Sequence, residues 1–417
     1  MMPFAISLIV SVGVQMSPPP AEPGMPLEAA VERALDSHPM VIAAHARVDE
    51  ARADAQLLAV GPQEVVVQGT VQRRDVRGIG MVPEYDLQFT RPIRLPGKAA
   101  LDRRVGNSGL RAAENRAEDA RHQAALLLSK QWWTWLGAAS EARTLEGVAS
   151  VMSSAVAATR KRLALRDASA LELDQALSAE AAAHAGAMQA SAREAAARAA
   201  LSASFPDLPL PSAAPALPRP ALPAEGSEGL AALVIARSHE IGASAADLDK
   251  AEALRARAAR DRLADPSIGL RAFSEQGGNE KGIGLIFSVP LGGRARAAAV
   301  DRASSASAAA AAELAATRNM ISALAAEGAA LATGYLRAWE QALRAAEAAQ
   351  AAAERQRAGH ALGGIDLSDR LVTERLACDA ALEEVRARTA ALEAITRLRI
   401  DAHTLWLSAQ AHEGVAP

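Results

Sequence analysis

The sequence predicts a mainly α-helical fold with a small β part, built as a tandem repeat of long helices with four strands per chain. Composition gives the first observation, because 104 of the 417 residues are alanine and only 3% are aromatic. Alanine favours helices and lets them approach closely, but it fills little of a conventional core. The second observation is a self-match at an offset of about 200 residues. The third is a pair of long stretches without proline.

Charge and cysteine content exclude several classes of protein. The 45 basic and 48 acidic residues give a net charge of −3, so the chain is no polybasic binder of nucleic acid. Cys378 is the single cysteine and forms neither an internal disulfide nor a cysteine zinc cluster. No apolar run in the sequence reaches the roughly 18 residues that a membrane-spanning helix needs.

The first 24 residues predict a secretory signal. An apolar stretch at residues 4–14 is followed by a proline-rich, polar segment, which is the usual order in such a signal. The segment lacks a Lys or Arg ahead of the apolar stretch and an A-x-A cleavage site. A frayed tail or a misplaced start codon therefore remains the alternative.

The self-match divides the remainder into two repeats. His38 and His239 lie 201 positions apart, and Phe89 and Phe287 lie 198 apart, in the same order along the chain. We interpret the pattern as a tandem duplication. A segment with seven prolines separates the copies and is expected to run extended. The predicted boundaries are residues 25–205 for the first repeat, 206–228 for the linker, 229–408 for the second repeat and 409–417 for a tail.

Each repeat begins with a helix and a β-hairpin. In the first repeat we expect a helix over Pro26–Leu58, kinked at Pro39, and then a hairpin at residues 64–92 with strands at Glu64–Arg73 and Tyr85–Arg91. The glycine-containing loop Gly78-Ile79-Gly80 joins these strands. In the second repeat the helix is expected over Gly229–Leu263 and the hairpin at residues 267–290.

Apolar and polar residues alternate along the four predicted strands. Four strands neither close a barrel nor protect the edges of an open sheet, whereas three chains together would supply twelve strands, apolar outside and polar inside, as a trimeric outer-membrane β-barrel requires. Two ordinary hairpins that cap a helical bundle are the alternative. The candidate lipid-facing residues of the barrel are Val65, Val67, Tyr85, Leu87, Phe89, Ile268, Leu270, Ile283, Leu285 and Phe287.

A very long helix and a shorter returning helix follow each hairpin. The long helices are predicted over Ala99–Arg166 and Arg294–Arg357, each about 100 Å in length, and the returning helices over Leu171–Ser204 and Ser368–Leu407. Turns are expected at residues 167–173 and 359–368. In the first repeat the two shorter helices together match the length of the long one and are expected to stack end to end beside it, whereas the match in the second repeat is looser.

This ordered pattern resembles the TolC-like outer-membrane efflux proteins, the outer membrane factor family. The resemblance rests on the repeated helix–hairpin–helix–helix order, on the strand-to-helix junctions at residues 89–93 and 287–294, and on the two turns. It implies a passive homotrimeric channel, without enzymatic activity or cofactor, that lies in outer-membrane lipid and extends into the periplasm. It also implies a periplasmic adaptor (membrane fusion) protein and an inner-membrane pump, of RND type, as partners. Residues 265–280 are similar to the heavy-metal-efflux branch.

On this resemblance the two turns are periplasmic tips that dock the adaptor. The candidate docking residues are small or aliphatic: Ser169, Ala170, Leu171, Gly363, Gly364 and Ile365. Asp174, Asp366 and Asp369 lie at or just past the tips and are candidate pore or gate carboxylates, since a ring of carboxylates favours cations. The alternative role for these three is to complement the dipole at the start of a helix.

The sequence offers no motif for catalysis or for binding of a metal or cofactor. It contains no phosphate-binding loop, nucleophile elbow or dinucleotide fingerprint. The eight histidines form no i, i+4 pair and no His/Cys/Glu cluster in sequence, so we predict no metal site. A soluble, alanine-rich coiled-coil scaffold without transport activity is the alternative to the channel.

Overall fold

The computed structural model describes residues 23–407, so nearly all of the predicted signal and the whole predicted tail lie outside the described residues. Eight α-helices and four strands are found in this part of the chain. They are α1 (Glu28–Asp36), α2 (Pro39–Val60), β1 (Val66–Val76), β2 (Gly80–Pro92), α3 (Lys98–Ala164), α4 (Ala170–Ser204), α5 (Gly226–Ala236), α6 (His239–Arg260), β3 (Ser267–Glu275), β4 (Glu280–Ser288), α7 (Arg294–Ala361) and α8 (Leu367–Asp401).

The four strands form one antiparallel sheet in the order β1-β2-β3-β4. The hairpin predicted at residues 64–92 begins at Val66, and its two strands extend further toward the turn than predicted, because β1 continues to Val76 and pairs there with Gly80 at the start of β2. The pairing of β2 with β3 joins the two repeats in a single sheet. Strands β1 and β4 are its two edges.

The helices of each repeat pack as predicted, with two shorter helices placed one after the other along a long one. Helix α2 lies against the first part of α3, where the backbone of Gly106 approaches Ala55 so closely that a β-carbon would lie 2.8 Å from the Ala55 Cα. Helix α4 lies against the later part, where Gln131 Nε2 donates to Ser204 Oγ at 2.9 Å. The contact of Gly106 with Ala55 needs small residues on both helices, which is consistent with their alanine content.

The second repeat has nearly the same helix lengths. Helices α2, α3 and α4 contain 22, 67 and 35 residues, and α6, α7 and α8 contain 22, 68 and 35. The looser match predicted for the second repeat is wrong, because α8 ends at Asp401 rather than Leu407 and the predicted helix over Gly229–Leu263 is two helices. Within residues 23–407, no helix combines the length and apolar character that crossing a membrane requires.

The first helical segment of each repeat breaks at the same place. In the first repeat Pro39 begins α2, and the His38 side chain accepts a hydrogen bond from the amide of Met40. In the second repeat there is no proline, but Ser238 caps α6 by accepting a hydrogen bond from the amide of Ile241 at 3.1 Å. A serine at the N-cap satisfies a backbone donor that the helix cannot, so a second helix starts here without a proline.

The largest core lies where α1, the middle of α3, the ends of α4 and α8, and the linker meet. Its centre is formed by Trp132, Trp133 and Trp135, and Leu208 and Leu217 of the linker are buried against it. The linker therefore packs on the core, and it is shorter than predicted because α5 begins at Gly226. A smaller core around Leu230, Ile321 and Leu398 occupies the corresponding place in the second repeat.

Candidate functional site

One face of the sheet is apolar and exposed. Residues that are paired across antiparallel strands point to the same face, and Val67, Phe89, Leu270 and Leu285 form one such row. The side chain of Leu285 is 87% exposed. Except for Val65, which is exposed but lies one residue before β1, every residue predicted to face lipid lies on this face, in an exposed position: Val67, Tyr85, Leu87, Phe89, Ile268, Leu270, Ile283, Leu285 and Phe287.

The opposite face of the sheet is polar and charged. Arg271 pairs with Asp86 across β2 and β3, and Arg74 Nη2 lies 2.7 Å from Glu84 Oε1. Phe273 also lies on this face, where the Arg271 guanidinium is 5.0 Å from its ring centre and Gly282 leaves space for the ring. Phe273 is therefore an aromatic residue of the polar face, because its position alternates with the apolar set.

A buried ionic cluster holds the sheet on the helices. Lys98, the first residue of α3, is 1% exposed, and its Nζ lies 2.8 Å from Asp265 Oδ1 and 2.9 Å from Asp261 Oδ1. The Leu263 carbonyl accepts a third hydrogen bond from it at 2.7 Å. Burial opposes ionisation of Asp265, but hydrogen bonds from Lys98 and from the Leu95 amide outweigh it and hold the pKa of this carboxyl below its ordinary value. The members of this cluster belong to different repeats, so no local sequence pattern signals it.

The two predicted tips lie side by side at the far end of the helices. The connection between α3 and α4 is residues 165–169 and that between α7 and α8 is residues 362–366, both shorter than predicted. A small core of Val156, Ala176 and Leu367 packs the two ends together. The predicted docking residues Ser169, Ala170, Leu171, Gly363 and Gly364 are exposed, and Ile365 is half-buried because its side chain packs on Gly359.

The three candidate gate carboxylates are also exposed at this end. Asp366 is the N-cap residue of α8 but its side chain makes no capping hydrogen bond, and Asp369 lies in the first turn of the same helix. Asp174 lies in the second turn of α4. None of the three forms an ion pair with another residue in the range 23–407.

A hydrogen-bond network that the sequence did not predict joins the two tips. Ser169 and Glu172 form a reciprocal capping box at the start of α4. Arg162 Nη1 lies 3.3 Å from His360 Nε2, and the other nitrogen of this ring lies 2.8 Å from the Ile365 carbonyl oxygen. The S-x-x-E spacing at residues 169–172 signals the capping box, but no local pattern links Arg162 to a residue 198 positions away.

Comparison with known proteins shows similarity in structure only. No protein-family profile and no curated protein matches the sequence. Among solved structures, the CmeC outer membrane channel of Campylobacter jejuni superposes with a TM-score of 0.73 at 16% identity, over 90% of this chain and 85% of that one. The outer membrane protein VceC of Vibrio cholerae gives 0.71 at 17%, over 90% and 95%. The open-state MtrE outer membrane channel of Neisseria gonorrhoeae gives 0.67 at 16%, over 91% and 89%.

These similarities establish the fold. The chain has the TolC-like fold of outer-membrane channels, with long paired helices and a four-stranded antiparallel sheet, over nine-tenths of its length. The predicted fold class and the resemblance that accompanied it are confirmed at this level. At 15–18% identity the comparison carries the arrangement of the chain and not its activity.

Proposed function

We propose that the chain is one subunit of a homotrimeric outer-membrane channel, a passive duct without enzymatic activity that serves a tripartite efflux system. The observation that carries the proposal is the sheet with one exposed apolar face and one charged face, on a fold shared with outer-membrane channels. A barrel strand meets lipid with one face and water with the other. An exposed apolar patch of this extent marks a contact with lipid or protein.

Trimerisation follows from the edges of the sheet. Strands β1 and β4 expose unpaired backbone groups on either side, and pairing between neighbouring subunits satisfies them. Strands of 9–13 residues match the 9–11 residues that a tilted strand needs to cross a bilayer. Helices of 67 and 68 residues then extend about 100 Å into the periplasm. We keep the two-repeat division and the N-terminal secretory signal as parts of this proposal.

The proposal is tested by membrane fractionation and by conductance. We expect the protein in outer-membrane fractions, as a trimer that needs detergent and that conducts ions in planar bilayers. Leu285→Arg places a charge on the lipid face, at a cost of about 2–4 kcal/mol near the bilayer centre, and should reduce trimer in the membrane. Gln68→Arg on the charged face is the matched control and should assemble normally. Recovery of the wild-type chain as a water-soluble monomer would favour the soluble scaffold instead.

We further propose that the paired tips bind a periplasmic adaptor protein, which connects the duct to an inner-membrane pump of RND type. Support comes from the small and exposed residues at both turns, and from exposed leucines beside them, at 165 and 362. Gly364→Trp should abolish efflux while the trimer persists, because the indole occupies the docking surface. Gly364→Ala is the matched control, since the nearest atom to an added β-carbon is 3.8 Å away. Efflux that survives the tryptophan contradicts this assignment of the tip.

Heavy-metal cations are the cargo that we propose to test first. The sequence of residues 265–280 suggests this branch, and the unpaired carboxylates Asp174, Asp366 and Asp369 would favour cations if they line the pore. Replacing all three by Asn should shift the reversal potential toward anions and lower resistance to metal salts. A triple variant with unchanged ion selectivity would return these residues to a role at the starts of their helices.

A further inference from the structure

A second cluster of ionisable side chains lies in the helical wall, away from the sheet and the tips. Asp119 and His122 are three residues apart on α3, and Glu240 is the second residue of α6. One ligand atom of each lies within 4.8 Å of the others. The spacing of these residues in the sequence does not predict the cluster, because Glu240 belongs to the other repeat.

The His122 ring is buried and has one unused nitrogen. The residue is 4% exposed, and its Nε2 lies 2.9 Å from Asp401 Oδ1 at the end of α8. An ionised carboxylate only accepts hydrogen bonds, so Nε2 donates, and in the neutral imidazole, the form that binds a metal, Nδ1 carries the lone pair. Among the described residues Nδ1 has no hydrogen-bond partner, and it lies 3.9 Å from Asp119 Oδ1. A buried polar atom without a partner is costly and rare.

The two carboxyl groups of the cluster face each other. The side chain of Asp119 is 30% exposed, and its Oδ1 accepts a hydrogen bond from Gln123 Nε2 at 3.2 Å. Glu240 is held in place by Ser238, whose Oγ donates to its Oε2 at 2.7 Å. Two carboxyl groups and one imidazole nitrogen thus converge on one place, with one ligand atom of each within 4.8 Å of the others.

We propose that Asp119, His122 and Glu240 bind one divalent transition-metal cation of the zinc type. One imidazole nitrogen and two carboxylate oxygens form a donor set that zinc accepts, whereas magnesium and calcium prefer oxygen alone. A metal-binding histidine is usually oriented by a hydrogen bond from its other ring nitrogen, and the bond from His122 to Asp401 has this role. Gln123 donates to Asp119 and Ser238 donates to Glu240, so the two carboxylates are oriented by hydrogen bonds as well.

The site would couple the two repeats. Its ligands belong to α3 and α6, and Asp401, which is hydrogen-bonded to His122, is the last residue of α8. A bound cation would therefore connect three helices at this position. Other groups adjoin it: Arg397 Nε lies 3.7 Å from Asp401 Oδ2, and the ring centre of His403 lies 5.3 Å from that of His122 and 4.7 Å from that of His239, in tilted arrangements. Asp119 retains 30% exposure of its side chain, which leaves a path for the ion to enter.

The test is metal binding to the full chain in detergent, without a histidine tag. Cobalt(II) is the probe, because a protein site of this type gives visible absorption bands that a free aqueous ion lacks. We expect one Co²⁺ per chain, displaced by Zn²⁺, and at least about 10-fold weaker binding in Glu240→Gln and Asp119→Asn. Asp401→Asn should weaken binding by about 10–100-fold through the orientation of His122.

Asp247→Asn is the matched control. This residue lies two turns further along α6 and pairs with Arg116, outside the cluster, so binding should be unchanged. Zinc should also raise the melting temperature of the wild type but not that of Glu240→Gln. Absence of stoichiometric binding by the wild type, or equal binding in both ligand variants, would overturn the proposal and leave a cluster that shares a proton. Conductance does not enter these readouts, so this result is independent of the channel proposal.

Discussion

The two tip connections occupy the same position in their repeats but are built by different means. The turn at residues 165–169 is fixed by side chains: Ser169 and Glu172 cap α4, and Arg162 Nε lies 3.0 Å from Asp167 Oδ2. Its Arg166 adopts a φ of 61°, an unusual value for a residue with a β-carbon. Local hydrogen bonds therefore compensate a strained backbone in this turn.

The turn at residues 362–366 is fixed by glycine instead. Gly363 adopts a φ of 78° without strain, and its amide donates to the His360 carbonyl oxygen at 3.0 Å. The side chain of Asp366 makes no capping hydrogen bond. The contact between His360 and Arg162 is the link by which this turn depends on the other. The comparison suggests that one tip is specified by its own sequence and the other partly by its neighbour.

The largest expected effect comes from Gly363→Val. Valine at a positive φ costs about 1–3 kcal/mol, and no atom lies within 4 Å of the added β-carbon, so the effect is one of backbone conformation alone. Hydrogen exchange measured by mass spectrometry should show faster opening of residues 359–370. In the other turn Arg166→Gly should change stability by less than about 0.5 kcal/mol, since relief of strain is offset by chain entropy. Equal effects would remove the distinction between the turns.

The second effect concerns the helix caps. Ser169→Ala should destabilise the start of α4 by about 1 kcal/mol, because it removes the acceptor for the Glu172 amide. Asp366→Ala should cost about 0.5 kcal/mol or less, because only the helix dipole is affected. Hydrogen exchange, measured on the peptides that cover the starts of α4 and α8, shows which of the two variants loses more stability. A larger loss at Asp366 would mean that this carboxylate caps its helix in solution.

A smaller effect tests the link between the turns. Arg162→Met should cost about 0.2–1 kcal/mol, the range for partly exposed ion pairs, and should speed exchange in both turns. Arg160→Met is the control, as Arg160 is exposed and forms no ion pair with another described residue. If exchange changes in the first turn only, the second turn does not depend on Arg162.

The smallest effect is a dependence on pH. The Ser169 amide, the Ser169 hydroxyl and Arg162 hold the pKa of Glu172 below its ordinary value of 4.5. The capping box is therefore fully formed at neutral pH and is lost as the pH falls below this value and through the lower pKa of the folded state. A spin label at position 165, in a chain with Cys378 replaced by Ser, should become progressively more mobile as the pH falls below 4.5 and through the lower pKa of Glu172 in the folded state. A label at position 362 should change less.

Local sequence was sufficient to predict the helical and strand segments, but not to predict all of the residues at which they begin and end. Periodicity and proline placement predict the long helices to within a few residues, because a helix repeats one local geometry. The break at Ser238 was missed because a serine is common inside alanine-rich helices and becomes a cap only when the chain turns there. The extension of the first hairpin's strands toward their turn was not predicted, because Arg74 and Asp75 do not follow the apolar alternation, yet they still pair with β2.

The sequence by itself determined the class of fold, the two-faced strands and the positions of the tips, because each depends on residues close together in the chain. Tertiary structure alone decided which distant side chains meet. Lys98 reaches Asp265, Arg162 reaches His360, and Asp119 with His122 reaches Glu240. These contacts cross from one repeat to the other, over separations of more than 100 residues. The period of a helix defines which of its residues share a face. Only packing in three dimensions decides which face of another helix lies against it.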